Sequence, residues 1–391
     1  MAKKRGHGEG TIYRRKDGRW CAQVSVGVDP TTGRIKRRTV YGRTRQEVAE
    51  TLVRLIADAQ DGLLVDPSRE TLAAYLKRWM ETVQKQRVRP QTYEDYVKII
   101  RRHIAPTLGN IRIDKLQPAH IQTLYAQKLD EGLSPNTVRI IHAILRRALA
   151  QAVKWGQIPR NPADAVERPR IARRETPALT PEQVRAFLAA AREDRLYALY
   201  VLAITTGMRQ GELLGLRWED VDLEEGRLYV RRQMIWRRNT EPHLSEPKTA
   251  KGRRPVELPP MAADALRQHR KQQVEERLLA GPAWQDRWGL VFTTSIGTPI
   301  NPSNLRSRSF RKVLQRAGLP PIRFHDLRHT HATMLLAAGV HPKLVQERLG
   351  HSTVAITLDV YSHATPAMHR QVADTVEQLL RPAEENRSGL Q

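Results

Sequence analysis

The start of the chain alternates between apolar and polar positions in the way that is typical of β-strands. Every second residue is apolar over residues 20–26, and Asp17-Gly18 just before them is a strong hairpin signal. A second turn is expected at residues 29–33 and a third strand at residues 35–41. The pattern therefore predicts three short strands that follow one another along the chain.

A helical period replaces this alternation from residue 44 onward. Thr44 and Glu47 are spaced as a capping box, which satisfies free backbone N–H groups at the start of a helix. The apolar residues that follow fall on one stripe of that helix: Val48, Leu52, Ile56 and Ala59. We expect the three strands and this helix to form a small domain over residues 1–62.

Residues 70–155 carry apolar side chains at helical spacing throughout and predict four amphipathic helices. Pro118 starts the third helix, and Ser134-Pro135 supplies an N-cap and a first-turn proline for the long fourth one. The aromatic residues of the stripes are expected in the core rather than as base-stacking groups. Turn residues at 61–68 and 161–169 bound this stretch, so we expect a helical domain over residues 68–162.

The remainder of the chain mixes helical and strand patterns and predicts an α+β domain over residues 175–391. A capping box at Thr180 and Gln183 begins it, and Gly207 ends an apolar helix. Strands are expected at residues 220–235 and 253–258. A last amphipathic helix is expected at residues 366–381, packed either on its own domain or on a neighbouring protomer.

The charge of the chain indicates that this multidomain protein has a polyanionic partner. There are 66 Lys and Arg against 41 Asp and Glu, a net charge of +25. Thirteen of the basic residues lie in residues 1–46, so the charge is concentrated, and nucleic acid is the expected partner. A merely solvated basic surface is the plain alternative.

Two groups of basic residues are candidates for DNA contact. On the front sheet they are Arg14, Arg15, Arg19, Lys36, Arg37 and Arg38, which could lay a β-ribbon in a groove. On the outer faces of the helices they are Arg101, Arg102, Arg139, Arg146 and Arg147. For any single one of these arginines, a solvated helix face is an equally good interpretation.

Several classes of protein are disfavoured by composition. No apolar run is long enough to cross a membrane, and the first residues do not form a secretory signal. The single cysteine, Cys21, excludes an internal disulfide framework and sites built from several cysteines. We therefore expect a cytoplasmic address, with the protein on the nucleoid when it is bound to DNA.

The chemistry of the chain is concentrated in its last third. His325 and Arg328 are three residues apart and are expected on one helix face, where the guanidinium can fork onto a phosphate while the imidazole handles a proton. His325, His329 and His331 could alternatively bind a metal, but Arg328 would repel a cation. Arg209 is expected at a helix start, where backbone N–H groups favour an anion.

Six residues in a fixed order resemble the catalytic set of the tyrosine recombinases, the phage-type integrase family: Arg209, Lys248, His325, Arg328, His351 and Tyr361. The resemblance extends over nearly the whole chain. The front domain is similar to an arm-type DNA-binding domain, and the helical domain to the family's core-binding domain. The implied fold is therefore multidomain and mainly α with small β-sheets, ending in the α+β tyrosine recombinase catalytic domain.

The resemblance also implies roles for these residues. Arg209 and Arg328 would clamp the phosphate, with His351 as the second histidine. Separately, Glu212 lies three residues after Arg209 and is expected to orient its guanidinium rather than to perform acid-base work. The remaining roles are general acid for Lys248, general base for His325 and nucleophile for Tyr361. Lys251 lies close enough to be a rival for the acid.

The implied activity is site-specific DNA recombination through a covalent 3′-phosphotyrosine, without ATP, metal or other cofactor. The expected partners are double-stranded DNA, at core-type and arm-type sites, and three further copies of the chain in a tetramer. The resemblance leaves room for an accessory DNA-bending or directionality factor. There are two alternatives. The three-part layout argues against a nicking-closing topoisomerase, and the complete catalytic set argues against a non-catalytic DNA-binding regulator.

Overall fold

A computed structural model describes residues 10–28, 33–60, 69–171, 178–237, 240–247 and 252–360. The chain divides into two compact units, residues 1–173 and residues 174–391. The expected fold class is confirmed, since helices predominate and the strands form small antiparallel sheets. In the described part of the chain, every helix is too short or too polar to cross a membrane.

The three expected strands and the helix after them are present at the front of the first unit. Their bounds are β1 Thr11–Arg14, β2 Trp20–Val28, β3 Ile35–Gly42 and α1 Arg45–Gln60. The hydroxyl of Thr44 accepts the N–H of Glu47 at 3.2 Å, which confirms the helix start. A small core joins sheet and helix through Ala22, Val24, Val48 and Leu52. The expected turn at 29–33 lies almost entirely outside the described residues.

The register of this sheet separates its basic residues between two faces. Arg38 pairs with Val24, and Arg37 pairs with Ser25. Paired residues of antiparallel strands point the same way, and Val24 is buried under the helix. Arg38 therefore lies on the helix side, where it is half-buried, whereas Arg37 lies on the open face and is exposed.

The second part of the first unit is helical. Its helices are α2 Leu72–Trp79, α3 Lys85–Arg87, α4 Pro90–Ile99, α5 Ala105–Leu108, α6 Pro118–Asp130 and α7 Pro135–Lys154. Single π-helical turns join α2 to α3 and α4 to α5, so these pairs run as continuous rods. The hydroxyl of Ser134 accepts the N–H of Thr137 at 3.2 Å and caps α7.

The aromatic residues of the helical stripes are core residues, as expected. Tyr75, Trp79 and Tyr125 are fully buried. The hydroxyl of Tyr75 donates to the carbonyl of Ala148 at 2.6 Å, so its polar end is satisfied inside the core. Ala163 and Val166 also pack into this core, which therefore extends past residue 162.

The second unit surrounds an almost wholly buried helix. Its helices are α8 Pro181–Ala191, α9 Tyr197–Thr206, α10 Gln210–Leu214, α11 Pro260–Ala280, α12 Pro302–Asn304, α13 Arg311–Arg316, α14 Asp326–Ala337, α15 Pro342–Leu349 and α16 Val354–Val360. Residues 198–204 of α9 are buried, which agrees with their unbroken apolar sequence. The expected helix at 366–381 lies outside the described residues.

The strands of the second unit are shorter and more numerous than expected. They are β4 Val221–Asp222, β5 Arg227–Val230, β6 Gln233–Ile235, β7 His243–Ser245 and β8 Arg254–Glu257. The stretch at residues 220–235 contains three of these strands, β4, β5 and β6. The carboxylate of Asp222 accepts the N–H groups of Glu224 and Glu225 at 3.1 and 2.9 Å, and this turn folds β5 back onto β4.

Candidate active site

A cleft of about 500 Å³ in the second unit brings together four of the six predicted catalytic residues and Glu212. Its lining includes Arg209, Glu212, His325, Arg328 and His351. These residues come from three separate stretches of the chain, so only the fold makes them neighbours.

Lys248 and Tyr361 lie outside the residues that the structure describes. Pro247, directly before Lys248, and Gly252 both line the cleft. The helix α16, Val354–Val360, immediately precedes Tyr361 in the sequence.

Arg328 is a buried guanidinium held by two backbone carbonyls. It is 3% exposed. Its Nη1 donates to the carbonyl of Gly207 and its Nη2 to the carbonyl of Leu349, both at 2.7 Å. Burial, followed by repulsion from Arg209, lowers the pKa of Arg328 to about 9, so it is still a cation at neutral pH. An anion in the cleft would relieve that repulsion.

Gly207 makes this anchoring possible. It ends α9 in the left-handed conformation, at φ +63°, which glycine adopts without strain. A Cβ there would also lie 2.5 Å from the side chain of Leu349 and 2.7 Å from the ring of His331. The ends of α9 and α15 can therefore approach closely enough for one guanidinium to reach both.

His325 and Arg328 both line the cleft, and His325 lies directly before α14. It is the N-cap of α14, one residue before the helix begins. The cause is Asp326, whose carboxylate accepts the N–H of Arg323 at 2.8 Å and fixes the helix start after His325. Arg328 is in the first turn of α14, and the backbone of His325 is helical as well, with φ −66° and ψ −22°.

The protonation of His325 suits a base. Burial against its neighbours, together with the nearby His329, Arg328 and Arg209, lowers the pKa of His325 to about 4. The residue is nevertheless exposed to solvent. His325 is therefore neutral near pH 7 and accessible from the cleft.

Arg209 occupies the N-cap of α10, as expected, and is held there by Glu212. Its Nη1 donates to the carboxylate at 2.8 Å, and its backbone N–H donates to the same carboxylate at 3.0 Å. Burial alone would raise the pKa of Glu212. The positive charges of Arg254 and Arg209 outweigh burial, so the pKa of Glu212 is below its ordinary value. The side chain of Arg209 is 38% exposed, so part of the guanidinium faces the cleft.

His351 follows Gly350, which ends α15 in the left-handed conformation. Its Nδ1 is 2.9 Å from the hydroxyl of Thr357 on α16. Burial, followed by Arg328 and Arg209, lowers the pKa of His351 to about 3, so the ring is neutral. Thr357 was missed from the sequence, because one threonine in a short helix carries no chemical signature.

Arg254 was also missed, although the sequence held a sign of it. The pattern predicts a strand at residues 253–258, and it assigns Arg254 no role. In β8, however, Arg254 and Val256 face inward while Pro255 and Glu257 face outward. The strand alternation applied to Val256 would have placed Arg254 on the buried face.

The other histidines of the motif do not form a metal site with His325. His331 turns away from the cleft, with Nδ1 2.7 Å from the carbonyl of Ile204. His329 meets the ring of His325 edge to face, with centroids 5.1 Å apart. Within the described ranges, no group of three or more potential metal ligands comes together.

The candidate DNA-contacting residues lie in the first unit. Arg14, Arg15, Arg19 and Arg139 are exposed there. Arg146 is exposed as well, but its Nε donates to the carboxylate of Asp164 at 2.6 Å. The side chain of Lys36 lies outside what the structure describes.

Comparison with known proteins agrees with this geometry. The profile of the Phage integrase family matches residues 177–368, and that of the Phage integrase N-terminal SAM-like domain matches residues 71–129. A tyrosine recombinase XerC-like protein of Caldanaerobacter subterraneus is 32% identical, over 91% of this chain and 95% of its own length. The ICEBs1 integrase of Bacillus subtilis is 27% identical, over 95% of this chain and all of its own length.

Solved structures show the same fold. The Tn1549 transposon integrase, in complex with a circular intermediate DNA, has a TM-score of 0.66 at 24% identity. The structural match covers 78% of this chain and 99% of the Tn1549 integrase chain. A lambda integrase, solved as a tetramer bound to a Holliday junction, has a TM-score of 0.58 at 21% identity, covering 91% of this chain and 96% of its own.

The chain therefore belongs to the phage integrase family of tyrosine recombinases. It is a site-specific DNA recombinase of the tyrosine type, and its relatives include integrases of mycobacterial phages.

Proposed function

We propose that this cleft binds the scissile phosphate of a DNA strand and that Tyr361 attacks it. The observation that carries the proposal is the pair of anchored guanidiniums, Arg209 and Arg328, that line one cleft with His325 and His351. Each arginine is held by protein acceptors before any ligand arrives. Preorganised cations of this kind stabilise a phosphorane-like transition state without further reorganisation.

The chemical step is a phosphoryl transfer in which atoms and protons balance. The phenol oxygen of Tyr361 bonds to phosphorus while the bond to the 5′-oxygen breaks. His325 accepts the phenol proton, and Lys248 donates a proton to the leaving 5′-oxygen. The products are a 3′-phosphotyrosine and a 5′-hydroxyl. Ligation reverses the step with a hydroxyl from the partner strand, so no ATP is consumed.

In this scheme His351 donates a hydrogen bond to a non-bridging oxygen of the phosphate. If the Thr357 hydroxyl donates to Nδ1, the proton of the neutral ring lies on Nε2 and can be donated to the phosphate. Glu212 takes no proton, because its pKa is lowered by Arg254 and Arg209, and it acts by orienting Arg209.

We also propose how the domains and protomers assemble on DNA. Residues 1–62 bind arm-type sites, residues 68–162 and 175–391 clasp the core site, and four protomers act on two DNA sites. The exposed arginines of the sheet and of α7, with the net charge of +25, support contact with the phosphate backbone. Directionality would come from an accessory DNA-bending protein.

The decisive experiment for the nucleophile is a nicked suicide substrate, which traps covalent protein when the cleaved end diffuses away. Wild type accumulates the adduct, also in the presence of EDTA. Tyr361→Phe binds the same DNA and forms none, since only the attacking oxygen is lost. An adduct that persists in this variant would place the nucleophile elsewhere. Recombinant product from two sites separates the recombinase from a nicking-closing enzyme.

The arm assignment has its own test. A chain without residues 1–60 is expected to lose a second class of DNA footprint while it still cleaves the core site. Identical footprints for full-length and shortened protein would refute the arm-binding role.

A further inference from the structure

The helix α15 ends in a turn whose backbone hydrogen bonds fix where His351 enters the cleft. The N–H of Gly350 donates to the carbonyl of Glu347 at 3.0 Å, and the N–H of His351 donates to the carbonyl of Gln346 at 3.1 Å. These two bonds, with Gly350 in the left-handed conformation, form a Schellman motif. The N–H side of His351 is therefore held by the helix end itself.

Three consecutive carbonyls of this turn each accept a hydrogen bond from a side chain. Those of Leu349 and Gly350 accept from the two clamping arginines, at 2.7 and 3.3 Å. The next carbonyl, that of His351, accepts from Nε2 of Gln346 at 2.6 Å. The turn thus supports the proposed phosphate clamp with its first two carbonyls, and its third is held by a glutamine.

The amide of Gln346 is fixed in one orientation by its two partners. The residue is 2% exposed. Its Oε1 lies 3.1 Å from Nζ of Lys343, which can only donate, whereas the carbonyl of His351 on the other side can only accept. These partners decide which end of the amide is nitrogen. Gln346 therefore presents a fixed N–H donor to His351.

His351 is consequently held on both sides of its Cα and also at its ring. Gln346 binds the N–H of His351 through its backbone carbonyl and the C=O through its side chain. Thr357 binds the ring at Nδ1. The other ring nitrogen is Nε2, the proposed donor to the phosphate. One residue thus controls the backbone of His351, while Thr357 controls the rotation of its ring.

We propose that Gln346 is a positioning residue that holds His351 where its Nε2 reaches the scissile phosphate. The inference rests on the proposed role of His351 in binding that phosphate. Removing the amide retains the backbone bonds of the Schellman motif, so the carbonyls that anchor Arg209 and Arg328 keep their support. The peptide after His351 is released, and the loss of rate should therefore come through the His351 ring.

Gln346→Met tests this role, because methionine has a similar length and carries no N–H donor. The variant is expected to cleave a suicide substrate at least about tenfold more slowly in a single turnover at saturating DNA, since a misplacement of about 1 Å can cost roughly 100-fold. Its affinity for DNA, measured by band shift, should equal that of wild type, because the basic residues are unchanged. Wild-type cleavage by Gln346→Met would overturn the proposal.

Glu347→Gln is the matched control on the neighbouring residue. Its carboxylate is exposed and pairs with Lys343 at 3.1 Å, and its backbone carbonyl remains available to the Schellman motif. Cleavage at the wild-type rate is expected. Equally slow cleavage by Glu347→Gln and Gln346→Met would mean that any change at the end of α15 is damaging, and the specific role of Gln346 would be wrong.

A double-mutant cycle with His351→Ala separates positioning from general damage to the fold. If Gln346 acts through His351, Gln346→Met should slow the His351→Ala protein by less than about twofold. Multiplied defects in the double variant would overturn the proposal, because they would show that Gln346 acts elsewhere. Gln346→Glu keeps the length and the contact with Lys343, but its carboxylate cannot donate. It enters the same cycle and decides the matter if Gln346→Met does not fold.

The His351→Ala protein by itself separates the two levels of inference. If His351→Ala is slow and Gln346→Met is not, the role of His351 stands and the positioning role of Gln346 is wrong. If His351→Ala cleaves at the wild-type rate, the proposed role of His351 is wrong and the role of Gln346 is wrong with it.

Discussion

The ring of His351 is hydrogen-bonded to the hydroxyl of Thr357, with Nδ1 and Oγ1 2.9 Å apart and both residues buried. Thr357 is on α16, the helix that leads directly to Tyr361. The contact therefore joins a residue of the cleft to the helix that immediately precedes Tyr361, the proposed nucleophile.

Replacing Thr357 by valine is expected to slow cleavage roughly tenfold. The substitution keeps the shape but leaves Nδ1 of His351 buried without a partner, which costs about 1–3 kcal/mol. The measurement is single-turnover cleavage of a suicide substrate, with DNA binding followed by band shift. Thr357→Ser retains the hydroxyl and should recover most of the rate. Wild-type cleavage by the valine variant would show that His351 needs no such support.

Arg328→Lys is expected to lose roughly 3 kcal/mol of transition-state stabilisation, about 100-fold in rate. A lysine cannot reach the carbonyls of Gly207 and Leu349 together and still face the phosphate. Affinity for DNA should change little, because many other basic residues hold the duplex. Arg323→Lys, an exposed arginine beside the same helix start, is the control and should cleave normally. A near-normal rate for Arg328→Lys would mean that this guanidinium does not contact the scissile phosphate.

Lys248 and Lys251 compete for the role of general acid, and an experiment on the leaving group distinguishes them. The expected result is that Lys248→Ala is severely slow on normal DNA and close to wild type on DNA with a 5′-bridging sulfur, because a thiolate leaves without a proton. Arg209→Ala should be slow on both, because it serves the non-bridging oxygens. Sulfur rescue of Lys251→Ala instead would transfer the assignment to Lys251.

The two neighbouring arginines of β3 should differ in their effect on arm-site binding. Arg37 is on the open face of the sheet and Arg38 on the side of α1. Arg37→Ala is expected to weaken binding and to reduce the dependence of log affinity on log salt by about one. Arg38→Ala should leave the salt dependence near that of wild type. The opposite order would mean that the other face of the sheet meets the DNA.

The stability of the catalytic unit should fall with acid because of its buried histidines. Burial lowers the pKa of His331 to about 4, whereas an unfolded histidine has a pKa of about 6.5. Between these values the unfolded chain binds a proton that the folded chain does not, so the free energy of unfolding decreases as the pH falls through this window. His331 alone should account for about 2 kcal/mol between pH 7.5 and pH 5.

Urea unfolding of wild type and His331→Gln at these two pH values measures this contribution. The variant is expected to be less stable at pH 7.5 yet to lose less stability at pH 5. Equal losses in the two proteins would show that His331 takes up its proton without unfolding.

The sequence by itself determined the parts of this protein that depend on local order. The strand and helix periods, the caps at Thr44, Ser134 and Thr180, and the glycine ends at Gly207 and Gly350 all concern residues a few positions apart. The order of the catalytic residue types also lies in the sequence, and so does the positive charge. These features indicated the family before any contact was known.

Only the tertiary structure decided how those residues are supported. Arg328 lies 121 positions along the chain from its acceptor Gly207, and Arg254 lies 94 positions from Arg348. No local period records such contacts, because they arise when separate helices and strands bury their apolar faces together. For the same reason Thr357 was missed. The partners of Arg254 and the opposite faces of Arg37 and Arg38 appeared only with the tertiary structure.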